Sequence, residues 1–296
     1  DYTTLLGASA VAFRVRWFQG KEDNRWCPSS PIGEGTAEME AIRKATGWGL
    51  STEDASGEDE AKAAKLHDQI VAALETGTPV LAYDSGLNIM VVFGYEKGSS
   101  DLLAHAYGGG AEPSRWPVSK LPMMLIFLKK DGPGLSPDAV CREGLRLAVR
   151  NWQRGLMPAG AIGYWYGSSA LEHWRADLAV ADSYTDKERE QLFFVSWWNY
   201  DSLADARQAA VTYLEQSLPV LKGESRAAAA QALKIYQDEV SLLASAFKDG
   251  NAFFGPWSGK TVADWNEATR KREQEILTTA CALEQQAMEY LAKAVL

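Results

Sequence analysis

The sequence predicts an α+β protein in which a domain with a mainly antiparallel sheet precedes an all-α helical bundle. Residues 1–132 mix short strand-like apolar runs with Gly, Pro and Ser. Residues 136–296 instead carry the apolar spacing of helices almost throughout. The stretch 129–137, which is rich in turn-forming residues, separates these two regions of different composition. We therefore expect one domain over residues 1–132 and a second over residues 136–296.

The elements of the first domain follow from its periodicity. Alternation over residues 13–17 predicts a strand with apolar side chains on one face and Arg14 and Arg16 on the other. Helical spacing covers residues 36–46 and a second helix within residues 56–76. Four apolar runs then predict the strands of an antiparallel sheet, at residues 79–83, 89–95, 102–107 and 123–128.

Five or six long helices are predicted for the second domain. Their apolar spacing covers residues 137–152, 161–180, 193–218, 225–248 and 257–295. Ser136 and Pro137 are typical of a helix start, and Thr185 with Glu188 of a capping pair. An apolar stripe on the last helix fits either the bundle itself or a partner helix in a homo-oligomer; it consists of Leu277, Ala280, Cys281, Glu284, Ala287, Met288 and Leu291.

Composition and charge exclude several classes of function. The net charge of -9 disfavours a nucleic-acid partner, which would require a basic patch. No apolar run reaches the roughly 18 residues of a membrane span. Cys27, Cys141 and Cys281 are odd in number and far apart, which indicates reduced thiols and no zinc site. We expect a cytoplasmic protein without metal or cofactor, unless a signal peptide has been removed ahead of Asp1.

Several motifs, in this order along the chain, resemble a group of bacterial proteins related to the N-terminal domain of butirosin biosynthesis protein H. In the first domain they are Leu5–Trp17, Trp26–Pro31, Gly77–Ala82 and Val92–Glu96. In the helical half they are residues 172–174, 205–210, 213–214 and 282–284. The resemblance implies a papain-like first domain, similar to bacteriocin-processing cysteine peptidases.

The catalytic positions that this resemblance implies are missing or changed. The nucleophilic cysteine of papain-like enzymes opens a helix that would lie upstream of residue 1. The histidine position holds Asn88, and the Asp-Pro that often follows on the next strand reads His105-Ala106. Cys27 lies in a proline-bounded loop and is the candidate for a relocated nucleophile, with His105 as its base.

Two functions remain open from the sequence. The first is a non-catalytic binding or scaffold protein that holds a small molecule or peptide between the sheet and the bundle. The second is a cysteine-dependent acyltransferase or peptidase, with the nucleophile upstream of residue 1 or at Cys27. Arg14 and Arg16 fit either ion pairs with Glu96 or Asp84 or an anionic ligand. The other candidate ligand contacts are Trp26, Ser29, Ser30, Tyr83, Glu96, Tyr107 and Trp116.

Overall fold

The computed structural model describes residues 1–18, 36–57, 59–84, 88–106, 110–117, 120–159, 162–248 and 260–296. The helices in chain order are α1 (Tyr2–Ala8), α2 (Thr36–Thr46), α3 (Glu60–Glu75), α4 (Pro137–Trp152), α5 (Gly167–Ala179), α6 (Asp186–Ser217), α7 (Gly223–Lys248) and α8 (Glu267–Ala294). The strands are β1 (Arg16–Phe18), β2 (Trp48–Asp54), β3 (Val80–Tyr83), β4 (Ile89–Tyr95), β5 (Leu102–Ala106), β6 (Ser114–Trp116), β7 (Met124–Lys130), β8 (Leu156–Ala159) and β9 (Ile162–Tyr166). These helices and antiparallel sheets confirm the predicted α+β class.

The chain divides into two compact units. The first unit consists of residues 1–45 and 135–296, and the second of residues 46–134. The chain returns from the second unit to the first between residues 134 and 135, which lie within the predicted linker. Residues 1–45, however, belong to the helical unit rather than to the sheet. The reason is that β1 pairs antiparallel with β9, and the 3-10 turn Val11–Phe13 packs against α6.

Local signals set the helix starts of the first unit. The Ser136 hydroxyl accepts a hydrogen bond from the Ala139 N–H. Thr185 and Glu188 form a reciprocal capping box at the start of α6. Both predicted helix starts are therefore confirmed.

The helix predicted over residues 161–180 is wrong for its first turn. Residues 162–166 form β9, which pairs with β8 and β1 in a three-stranded sheet. Gly167 has a φ of +60°, and a methyl group there would lie 2.0 Å from the carbonyl oxygen of Trp152. Only glycine allows this sharp change from strand to helix so close to the end of α4.

Arg207 of α6 is fully buried and joins separate parts of the first unit. Its guanidinium donates to the carbonyl oxygens of Ala12 and Arg14, at 3.1 and 3.2 Å. It forms an ion pair with Glu284 of α8, and Glu239 of α7 lies 3.6 Å away. One side chain therefore holds the N-terminal segment against three helices.

The carboxyl groups around Arg207 balance its charge. Burial raises the pKa of Glu239 well above its usual value, and it also raises the pKa of Glu284, which the guanidinium partly opposes. The Tyr236 hydroxyl donates to Glu284 at 3.2 Å. The raised pKa of Glu239 favours its protonated form, and a single ionised carboxylate beside the guanidinium would balance the charge of the cluster.

The apolar stripe on α8 lies inside the first unit. Leu277, Ala280, Ala287 and Leu291 are fully buried, and α8 packs against α7, α5 and α4. The stripe therefore belongs to an intramolecular bundle. Of the two interpretations of the stripe, packing within the bundle is the one that the structure shows.

The second unit is a six-stranded antiparallel sheet in the order β2-β7-β3-β4-β5-β6. The helix α3 covers one face, where Leu66 and Ile70 pack against Val80, Val92 and Leu102. The edge strands β2 and β6 were not predicted, because β2 is mostly polar and β6 has only three residues.

The face of this sheet that points away from α3, here called the open face, is largely apolar. Leu50, Ile89, Val91 and Phe93 lie on it with 39–44% of their surface exposed. Alternation along each strand explains the pattern, because Met90 and Val92 point to the α3 face and are buried.

Among the described helices, we find none that combines the length and the apolar character needed to cross a lipid bilayer.

Replacing Arg207 by methionine should lower the free energy of unfolding by about 3–5 kcal/mol, because Glu284 would keep a buried charge without its partner. Urea denaturation measures the change. Arg146→Met is the matched control, since Arg146 forms an exposed pair with Glu143 and should change stability by less than about 0.5 kcal/mol. Equal effects of the two substitutions would contradict the role of Arg207.

Candidate functional site

Asn88, at the expected histidine position, and His105, the candidate base, have separate sets of contacts. Asn88 donates its side-chain amide to Asp84 at 3.1 Å, and its backbone N–H to the same carboxylate at 2.8 Å. His105 is exposed on the open face, where its ring stacks on Phe93 with centroids 4.8 Å apart. Asn88 therefore binds the residue that follows β3, and His105 belongs to a surface aromatic pair.

Five of the predicted site residues lie outside the described residues. They are Trp26, Cys27, Ser29, Ser30 and Tyr107.

Arg16 is buried and Arg14 is half-buried, and only Arg16 lies in a strand, whereas alternation predicted both on one face of the same strand. Arg14 forms an ion pair with Glu38 of α2 at 3.3 Å, in place of the predicted Glu96 or Asp84. The Arg16 guanidinium lies 4.8 Å from the centroid of the Tyr164 ring. A cavity beside them measures about 160 Å³, which is small against the roughly 300–1,000 Å³ of ligand sites.

A larger groove lies within the second unit. Asp84 and Met123 line it where β3 ends and β7 begins, and Arg115 and Trp116 of β6 line it opposite the start of β5. The volume of the groove is about 1,300 Å³. It is lined by Ala55, Ser56, Gly57, Asp59, Glu60, Ala63, Asp84, Arg115, Trp116, Pro117, Lys120, Leu121 and Met123. This groove is the candidate functional site.

The floor of the groove is apolar and held by the core of the second unit. Ala55, Trp116 and Leu121 pack against the cluster beneath α3. The Ala55 N–H donates to the carbonyl oxygen of Met123 at 2.8 Å, which fixes the chain that follows β2 against the chain that precedes β7. The indole of Trp116 is half-buried and offers an aromatic surface to the groove.

Charged groups of both signs line the groove. Asp59 caps α3 by accepting from the Lys62 N–H, and Glu60 follows it in the first turn. Arg115 forms an ion pair with Glu96, and Lys120 adds a second cation. The groove therefore suits a ligand that itself carries both charges.

The predicted ligand residues of the second unit divide between two places. Trp116 lines the groove, and Glu96 reaches it through its ion pair with Arg115. Tyr83 pairs with Ile89 and Met124 and lies on the open face. Lys120 and the start of α3 were missed, although the Asp59 cap was readable in the sequence.

A second cluster of titratable groups is sealed inside the first unit. Glu273 is fully buried and accepts hydrogen bonds from the Ser196 hydroxyl and from the Trp265 indole, the latter at 3.1 Å. The Trp174 indole donates to Ser196 at 2.8 Å. Burial raises the pKa of Glu273 to about 7, against the opposing effect of these hydrogen bonds. Because these side chains are buried, we interpret the cluster as a structural hydrogen-bond network rather than as a binding or catalytic site.

Within the described parts of the chain, no three His, Cys, Asp or Glu side chains are grouped in a way that could hold a metal ion. Cys141 is buried and Cys281 half-buried, and burial raises the pKa of both thiols. Neither cysteine has the lowered pKa that marks a nucleophilic thiol.

Comparison with protein-family models finds no match to this sequence, and comparison with curated proteins finds no similar protein. The papain-like resemblance therefore stays a prediction, and the function has to be argued from the site.

Glu273 generates a pH-dependent prediction. Its folded pKa lies above its unfolded value, so its contribution favours folding below about pH 4.5 and is lost as the pH rises through about 7. Glu273→Gln cannot ionise. The stability of this variant relative to wild type should therefore rise by roughly 3 kcal/mol between pH 4.5 and pH 8.

Urea denaturation of both chains across this pH range checks the difference. The contributions of Glu239 and Glu284 are common to both chains and cancel. A difference that does not change with pH would contradict a raised pKa at Glu273.

Proposed function

We propose that this chain is a non-catalytic papain-like binding protein whose second unit holds an extended peptide in the groove. The observation that carries the proposal is the groove itself, with an aromatic floor and charges of both signs. All lining residues belong to the second unit, so the proposed site replaces the predicted cleft between sheet and bundle.

The order of the sequence motifs supports the papain-like part of the proposal. The strand β4 follows Asn88 directly, and Asp84, which accepts hydrogen bonds from Asn88, is one of the residues that line the groove. A papain-like peptidase would place its histidine at the position of Asn88. We therefore take the groove, which Asp84 joins to Asn88, as the remnant of a substrate site without its base.

Two contacts favour binding without catalysis. The Asn88 amide is engaged by Asp84, which itself lines the groove. His105, the candidate base, stacks on Phe93 at the open face rather than lining the groove. A nucleophile and base must lie within hydrogen-bond reach of each other, and this arrangement gives the groove no imidazole among its described lining residues.

The dimensions and chemistry of the groove favour a peptide over a small molecule. Its volume exceeds the usual range for single small ligands. An extended peptide advances about 3.3 Å per residue and presents side chains of both charges along its length. Trp116 provides an apolar anchor of the kind that dominates peptide interfaces.

The test starts from a randomised decapeptide library displayed on phage and selected against the whole chain. Enriched peptides are then synthesised, and their affinity is measured by fluorescence anisotropy. Trp116→Ala should weaken binding at least tenfold, which is about 1.4 kcal/mol. The reason is that the substitution removes the aromatic floor of the groove.

Phe93→Ala provides the matched control, because Phe93 is an exposed aromatic residue of the same sheet that does not line the groove. It should leave the affinity within twofold. Cys27→Ala should also bind normally, whereas the acyl-transfer alternative requires this thiol or one upstream. Failure to enrich any peptide, or equal losses for Trp116→Ala and Phe93→Ala, would overturn the proposal.

A further inference from the structure

The strand β2 forms one edge of the sheet in the second unit, and its residues 50–54 are exposed. Among the strands that the structure describes, only β7 pairs with it. The backbone groups on its outer side are therefore available to another strand. We propose that β2 of a second copy of this chain pairs here, antiparallel, about a two-fold axis at Ser51.

The charges at the two ends of this edge are complementary. Glu53 and Asp54 lie at the end of β2, whereas Lys129 and Lys130 of β7 lie opposite its start at residues 48–49. An antiparallel copy brings the acidic end of each chain onto the basic end of the other. A parallel copy would instead place acid beside acid, which disfavours pairing.

The individual pairs support the register centred on Ser51. In that register Asp54 of one copy lies opposite Trp48 of the other, where the Lys130 ammonium lies 5.2 Å from the indole centroid. Glu53 lies opposite Gly49, which pairs with Lys129 of β7. The Asp131 carboxylate fills the space that a side chain at Gly49 would take, so Glu53 meets one like charge there, and the two lysines still leave the basic end with an excess of one positive charge.

The open face of the sheet also continues across the axis. Leu50 points to the open face with 41% of its surface exposed, and it would lie opposite Thr52 of the second copy. Two-fold pairing uses the β2 edge of each copy. It joins the two six-stranded sheets into one sheet of twelve strands. Such pairing also protects a long edge that carries no proline or lysine of its own.

The first experiment is a charge exchange followed by light scattering at about 100 µM, because a sheet-edge contact belongs with the weaker interfaces. One variant carries Glu53→Lys with Asp54→Lys, and the other carries Lys129→Glu with Lys130→Glu. The wild-type chain should dimerise, and each variant alone should associate at least tenfold more weakly. An equimolar mixture of the two variants should restore the dimer, since every facing pair is again complementary.

The mixture separates loss of pairing from loss of folding, because a misfolded variant cannot be rescued by its partner. A monomeric wild-type chain at this concentration would overturn the proposal. Variants that dimerise as well as wild type would also overturn it, and so would a mixture that stays monomeric.

The second experiment tests the register by oxidation. Directly opposite Cβ atoms in antiparallel strands lie about 4.5–5.5 Å apart, close to disulfide reach, whereas diagonal ones lie at roughly 7–8 Å. Ser51→Cys should therefore form a linked dimer at least about fivefold faster than Thr52→Cys, the matched control. The reverse order would exclude an axis at Ser51.

Discussion

A buried guanidinium must find acceptors for its hydrogen bonds and a counter-charge, or the fold that buries it becomes unstable. Arg207 meets both needs with groups that lie far apart in the sequence: two carbonyl oxygens of the N-terminal segment and carboxyl groups of α7 and α8. Once these contacts form, residues 12–14 are fixed against α6. The next residues then lie beside β9, and β1 completes the small sheet of the first unit.

The second unit consists of residues 46–134 alone. Its sheet has α3 on one face, exposed apolar side chains on the other, and a groove whose described lining belongs entirely to this unit. The groove is lined by the aromatic side chain of Trp116 and by Asp84, which accepts hydrogen bonds from Asn88. Binding without catalysis is the function that this arrangement supports best, and an exposed edge strand adds a place for self-association.

The sequence predicted the parts of this structure that depend on local chemistry. The caps at Ser136 and Thr185, the α+β class and the central strands all follow from spacing or from hydrogen bonds between near neighbours. The parts that depend on distant partners were not predictable in the same way. Arg14 alternates like a surface residue, yet its partner is Glu38, and residues 162–166 read as helix until Gly167 and β1 are considered. Trp116 was identified as a ligand residue, but the groove that it lines also needs the loop before α3, which carries no comparable signal.

Hydrogen exchange of the Arg207→Met chain, followed by mass spectrometry, tests most directly whether the N-terminal segment folds as part of the helical unit. We expect faster exchange in residues 2–18 and in the middle of α6, α7 and α8, because these parts share the Arg207 contacts. The strands β3, β4 and β5 should exchange as in wild type, since they belong to the other unit. Unchanged protection of residues 2–18, or an equal loss of protection in β3–β5, would contradict this account.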